Sequence, residues 1–163
     1  MSAQILPAPD GNLAEFIQGV WWLLSRNDFT KDGEQKIDLV LGADPIGILT
    51  YAETHFAAQF MKRDRSDDNT VQQFSAGKNN TSAVGGYDAY FGTYEVNEQT
   101  GKVSHTLIGS ITPSNIGLTV SRDIRANETE LIIQLETTTT EGESIIRTLI
   151  WKRINKQLGE NIF

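Results

Sequence analysis

The chain has 163 residues, of which 39% are hydrophobic, and 14 Lys plus Arg stand against 21 Asp plus Glu for a formal net charge of −7. This length suits one domain, 1–163, with a core of its own, and the scattered basic residues of an acidic chain argue against nucleic acid as a partner. With 0 Cys and 2 His, disulfides, zinc–thiolate sites and thiol nucleophiles are excluded and a His-rich metal site is disfavoured, so no metal and no cofactor are expected.

In chain order, the opening "MSAQILPAPDGNLAEFIQGV" lacks a basic stretch followed by a long apolar run. Nor does any segment reach the roughly 18 apolar residues a membrane-spanning helix needs. A cytoplasmic protein without a membrane span is expected. Asn12, followed three residues on by Glu15, has the spacing of a capping box, so "NLAEFI" reads as one or two helical turns. The chain then turns extended, with candidate strands at 19–27, 36–41, 46–52, 55–63, 90–97, 102–111, 117–125, 130–138 and 144–154. Between them lies turn chemistry: Asp32-Gly33, Asp44-Pro45, Asn97 to Gly101, Pro113 to Asn115, Asn127 to Thr129, and Gly142. Connections this short imply antiparallel neighbours, because parallel pairing needs crossovers of about a dozen residues or more. A long meander removes its exposed edges by closing, so the expected fold is all-β: an antiparallel up-and-down barrel of about eight strands preceded by a short helical turn. Residues 64–89 interrupt the pattern with a polar stretch rich in Gly, Asn and Ser, either a lid over the barrel or a surface loop, with at most a turn of helix near "TVQQFSAG".

Alternation assigns the faces. In "DAYFGTYEV", Tyr90, Gly92, Tyr94 and Val96 share one face and Phe91, Thr93 and Glu95 the other. In "KVSHTLIGSI", Val103, His105, Leu107, Gly109 and Ile111 form the inward set, and in "LTVSRDIR" Arg122 is the charged member of the apolar set Leu118, Val120 and Ile124. For "HFAAQFMKR" alternation separates His55, Ala57, Gln59, Met61 and Arg63 from Phe56, Ala58, Phe60 and Lys62 without saying which set is inside.

"GVWWL" at 19–23 contains a Gly-x-Trp, Gly19 and Trp21, preceded by a helical turn, and "LIWKR" at 149–153 ends in Arg153. Together with "DPIGILTYA", "AAQFMKRDR", "YDAYFGTYEV" and "VSHTLIGSITPSNIG", in that order and spacing, these segments resemble the lipocalin-like domain family of small bacterial and fungal barrel proteins. The resemblance covers 19–153. It implies a lipocalin-like barrel, Arg153 packed over Trp21 in a structural role, and Gln59 and Met61 facing the interior. Many members have no assigned activity, and some act as cyclases or isomerases in natural-product pathways.

A barrel of about eight strands is filled by side chains or holds one small ligand. Gln59, Met61, Tyr90, Tyr94, His105, Leu107 and Arg122 are the expected ligand-binding lining, with Gly92 and Gly109 leaving space between them. His105, Tyr90 and Arg122 are the catalytic candidates if a reaction occurs. Each also has a structural reading: an inward Tyr bonded to backbone, a satisfied core imidazole, or a buried Arg paired with Glu53 or Glu95. Patterns such as Gly-x-Ser-x-Gly, a phosphate-cradling glycine loop or His-Glu-x-x-His are absent from the sequence. The expected function is binding of a small, largely apolar molecule; the alternative is a cofactor-free cyclase or isomerase, and the third a ligandless interaction domain. Trp22, Leu24, Ile132, Ile146 and Ile150 fall on the faces opposite Trp21, Leu131 and Trp151, so the first and last strands carry apolar groups inside and out, which points to a homodimer through their outer surface.

Overall fold

The computed structural model describes residues 6–7, 11–65, 79 and 83–155. A short helix, α1 (Leu13–Phe16), precedes nine strands: β1 (Gly19–Phe29), β2 (Gln35–Lys36), β3 (Ile46–Tyr51), β4 (His55–Met61), β5 (Tyr87–Val96), β6 (Lys102–Ser110), β7 (Thr119–Ala126), β8 (Glu130–Thr138) and β9 (Ser144–Arg153). Every pairing is antiparallel, and each strand from β3 to β9 lies beside the next in sequence. β1 pairs with both β3 and β9, so eight strands close into a barrel, while β2 is a two-residue addition to the end of β1. This is the closed antiparallel barrel that the turn spacing predicts, and it agrees with the lipocalin-like fold that the resemblance implies. The segment 36–41 differs. Past Lys36 it is a tight turn, because the Asp38 carboxylate accepts hydrogen bonds from the Val40 and Leu41 amides and competes with strand pairing.

The end of the barrel near α1 is sealed by the residues of the Gly-x-Trp signature. Trp21 is fully buried, its Nε1 donates to the Ile17 carbonyl at 2.9 Å, and the Arg153 guanidinium lies 4.1 Å from its ring centroid. Arg153 also donates to the carbonyls of Gln18, Phe16 and Glu128, tying the helical turn and the β7–β8 turn to the barrel. Gly19 has φ +130, and a Cβ there would sit 2.5 Å from Arg153 Nη1, so the glycine is required both by its backbone and by the arginine above it. The cap on α1 is not the expected one. The Asn12 side chain makes no capping bond, and the Glu98 carboxylate, from the β5–β6 turn, instead accepts from the Leu13 and Ala14 amides at 2.9 and 2.6 Å. A distant carboxylate on the first-turn amides also complements the helix dipole.

The core is the barrel interior. Leu23, Leu49, Val120, Ile124, Leu131, Ile133, Leu149 and Trp151 are all buried there. Gly19→Ala should therefore displace Arg153 from Trp21 and lower the unfolding free energy by about 1–3 kcal/mol. Urea denaturation followed by Trp fluorescence measures it, and an unchanged midpoint would show that the cation–π seal contributes nothing.

Candidate functional site

The inward faces of β3 to β9 meet around a chamber of ≈ 80 Å³ lined by Tyr51, Phe56, Phe60, Tyr90, His105 and Arg122 among others. Alternation along β5, β6 and β7 places Tyr90, His105 and Arg122 there. On β4 the expectation is overturned. Phe56, Ala58 and Phe60 are buried while Gln59 is exposed and Met61 is not a lining residue. The register explains this: Phe56 pairs with Tyr51 and Ala58 with Leu49, both inward residues of β3, and turning two phenyl rings out to bury an amide would forfeit apolar burial.

Two further lining residues and two glycines also depart from expectation. Leu107 is buried in the core without reaching the chamber. Tyr94 stands edge-on to Tyr51, centroids 4.9 Å apart, and its hydroxyl donates to the Ala52 carbonyl at 2.5 Å, so it holds the β3–β4 turn and does not line the chamber. Gly92 sits at a bulge where the Thr106 carbonyl occupies the place of a Cβ, and Gly109 lies under the ring of Phe91. Both glycines permit close packing and neither leaves an internal void.

Tyr51, which the sequence reading did not single out, is the partner of His105: its hydroxyl lies 2.5 Å from Nε2. The imidazole is 4% exposed, packs against the edge of Phe56 with centroids 4.4 Å apart, and has no hydrogen-bond partner for Nδ1 among the described residues. Burial, with the Arg122 charge second, lowers its pKa to about 3, so His105 is neutral at physiological pH. Burial and the neighbouring Tyr90 push the Tyr51 phenol well above its ordinary value, with Arg122 opposing.

Arg122 does not pair with Glu53 or Glu95. Its Nη1 donates to the carbonyl and the Oδ1 of Asn79, each at 3.1 Å, and to the Ser121 carbonyl at 2.9 Å. These acceptors are all neutral. Nε and Nη2 have no acceptor among the described residues, although the side chain is nine-tenths buried and lines the chamber. Burial accordingly lowers its pKa.

At the end of the chamber away from α1 lies a buried network that alternation did not reveal. Arg147 grips Asp28 with two bonds, 2.8 and 3.0 Å, and lies 3.7 Å from Asp38, which pairs with Arg26 at 3.1 Å. Arg26 and Asp28 face inward because the β1–β9 register shifts between Leu23 and Ser25, reversing the alternation that starts at Trp21. Arg147, two inward positions from Trp151 with Leu149 between them, was legible by parity. For Asp38 burial opposes ionisation, but Arg26 and the Leu41 amide outweigh it and hold the carboxyl below its ordinary range. The lid suggested for 64–89 lies largely outside the described residues; of that stretch, 64–65, Asn79 and 83–89 are described.

Fold and site together define a small closed barrel with an internal chamber, apolar over most of its wall and furnished with a few polar groups. The family model for a lipocalin-like domain matches residues 18–154, and the chain belongs to that family. No curated protein matches it. Among the described residues no helix is long and apolar enough to cross a membrane, and no group of three His, Cys, Asp or Glu could hold a metal ion.

The depressed His105 pKa has a consequence for stability. The unfolded imidazole, near its ordinary 6.5, takes up a proton that the folded one refuses until about pH 3, so stability is full above about 6.5 and falls as the pH drops through that window. Folded carboxylates add their own acid dependence, so the test is a difference. His105→Asn should flatten the slope of unfolding free energy between pH 6.5 and 4 by on the order of 1 kcal/mol per unit. Equal slopes in parent and variant would show that His105 is protonated in the folded protein.

Proposed function

We propose that the chamber binds a small, largely apolar molecule carrying one hydrogen-bond-accepting head, an anionic or carbonyl oxygen, in a cytoplasmic protein without a cofactor. One observation carries this: Arg122 is buried against the chamber with Nε and Nη2 unanswered by any described acceptor. The buried Asp88 carboxyl of the same wall favours the Arg122 charge without forming an ion pair with it at bonding distance, and a ligand oxygen would complete the guanidinium with charge-assisted hydrogen bonds. The ring faces of Phe56, Phe60 and Tyr90 supply the apolar surround. The volume of ≈ 80 Å³ is about half of the ~150 Å³ void that holds benzene, so anything larger than a few heavy atoms must displace part of the wall.

A cyclase or isomerase is the second reading, supported by the Tyr51–His105 pair. A neutral imidazole in contact with a phenol, beside a guanidinium able to stabilise an enolate-like oxygen, has the parts for proton transfer within a bound substrate. Incubation in deuterated water with the co-purified molecule tests it: deuterium entering a C–H position, and abolished by His105→Asn, supports catalysis. No incorporation leaves binding alone.

The outer faces of β1 and β9 keep Leu24 exposed and Trp22, Ile146 and Ile150 partly so, whereas Ile132 is only 9% exposed and adds little. We propose a homodimer through this surface, with a dimer mass in light scattering at high micromolar concentration as the expected result and a monomer mass against it.

For the chamber, native mass spectrometry of freshly purified protein should detect a co-purifying small molecule. Arg122→Met keeps volume and strands no carboxylate at ion-pair distance among the described residues, so it should fold within about 2 kcal/mol of the parent. Its affinity for 4-fluorobenzoate, followed by ¹⁹F resonance, should fall by about 10–100-fold, the worth of a charge-assisted hydrogen bond. Unchanged affinity in a stable variant would remove Arg122 from the site.

A further inference from the structure

We infer that small molecules reach the chamber sideways, through a seam in the barrel wall between β7 and β8 that Asn79 staples shut. The inference rests on the chamber being a binding site and adds the route into it. Two ladders in the wall are short: β1 with β3, from Gly19↔Tyr51 to Trp22↔Ile48, beyond which Leu23 packs against Gly47, and β7 with β8, whose unpaired stretch is longer. β8 pairs with β9 over the whole of Glu130–Thr138 and β3 with β4 over the whole of Ile46–Tyr51. The β7–β8 ladder, by contrast, holds only four pairs, from Ala126↔Leu131 to Asp123↔Gln134. Both strands run on beyond it, β7 back to Thr119 and β8 forward to Thr138, each still paired on its other side. Continued by one step at a time, the register would set Arg122 against Leu135 and Ser121 against Glu136, and neither pair forms. A slot is left in the wall, running to the rim away from α1.

Asn79 fills that slot in place of strand pairing. Its Oδ1 accepts from the Ser121 amide at 3.1 Å, and its Nδ2 donates to the carbonyls of Ser121 and Glu136 at 3.2 and 3.3 Å, one on each side of the slot. It holds this position at φ 62, a left-handed conformation that asparagine tolerates better than most residues. Outside lies a groove of ≈ 850 Å³. It touches outward residues of the two strands, Ser121 and Glu136, and also the inward Leu135 and Thr137. It also touches Ile145 and Ile146 on the two faces of β9, so it follows the rim away from α1 as well as the seam. Leu135 lines the groove and the chamber alike, so among the described residues the two are separated there by one side chain and the Asn79 staple.

The two ends of the barrel are harder to open. One is closed by Trp21 under Arg153; at the other, buried Leu41 is held by Asp38 between Arg26 and Arg147, so opening there separates buried ion pairs. Among the described residues, freeing Asn79 from Ser121 and Glu136 breaks neutral hydrogen bonds and the contact of Arg122 Nη1 with Asn79. Arg122 thus touches the staple with one nitrogen and faces the chamber beside it, which couples what binds inside to how firmly the seam is closed.

The chain has 0 Cys, so a thiol pair can be introduced without background. Ser121→Cys with Glu136→Cys, bridged by a short bismaleimide, locks the seam; the same variant capped with N-ethylmaleimide leaves it free. A second pair, Asp44→Cys with Arg63→Cys, replaces a surface ion pair of 3.2 Å and locks the Leu41 end. The probes are 4-fluorobenzoate, read by ¹⁹F line shape, and xenon, read by ¹²⁹Xe exchange, which needs no polar head. Bridging the seam should slow entry and exit of both probes at least tenfold relative to the capped form, with affinity little changed, and Asn79→Gly should speed exchange several-fold. Unchanged rates with the seam bridged, or slowing only when the Leu41 end is locked, overturn the lateral route while the chamber stands. If neither probe enters any form, the chamber itself is refused and the route falls with it.

Discussion

Closure of β1 onto β9 is the constraint on which the remainder depends, and it is made by two unlike arginine contacts at the two ends of the same strand pair. At the start of β1, Arg153 covers Trp21 and binds four main-chain carbonyls. At the far end Arg147 takes Asp28 in a two-point grip. Between them the β1 register slips by one residue at Leu23/Ser25, and without that slip Arg26 and Asp28 would face water. A barrel wall needs such a bulge to coil, and here it also brings charge into the interior. Once Asp28 is inside, Arg147 must answer it, because a lone buried carboxylate is far costlier than a paired one.

The interior is therefore divided. Nearer α1 it is a packed core of Trp, Leu, Ile and Val side chains; toward the other end the side chains part around a small chamber whose polar groups belong to two systems. The Arg26–Asp38–Arg147–Asp28 network is internally matched and anchors the turn that carries Leu41. Arg122, Tyr51 and His105 are not matched in the same way: the arginine is bonded through one nitrogen to neutral oxygens, and the imidazole through one nitrogen to a phenol. Unmatched hydrogen-bonding capacity beside an internal void is the observation on which the binding proposal rests. Matched charges at the rim give the rigidity against which that capacity is held.

Asn79 joins the two halves of this account. It substitutes its side-chain groups for ladder hydrogen bonds that β7 and β8 do not make, and it gives Arg122 one of its two main-chain acceptors. A single polar residue thus stands where wall closure and site electrostatics meet.

The sequence by itself determined the barrel, because turn residues at short spacing force antiparallel neighbours and period-two alternation gives each strand a wet face and a dry one. It also placed Trp21 with Arg153, and put Tyr90, His105 and Arg122 on inward faces, since in β5 to β7 alternation runs unbroken from an apolar neighbour to each of them. Arg147 was within its reach by the same reasoning. What alternation could not determine was the sense of a strand with apolar side chains on both faces, as in β4, where Phe56 and Phe60 rather than Gln59 and Met61 turned inward because Tyr51 and Leu49 lie opposite them. Nor could it foresee a register slip, which decided the place of Arg26 and Asp28, or the uses of Gly92 and Gly109, which are set by a neighbouring carbonyl and a ring. The partners of Arg122 and His105 come from 43 and 54 residues away along the chain. Only the tertiary structure brings such residues together, since closing a barrel fixes distances that no local pattern of side chains encodes.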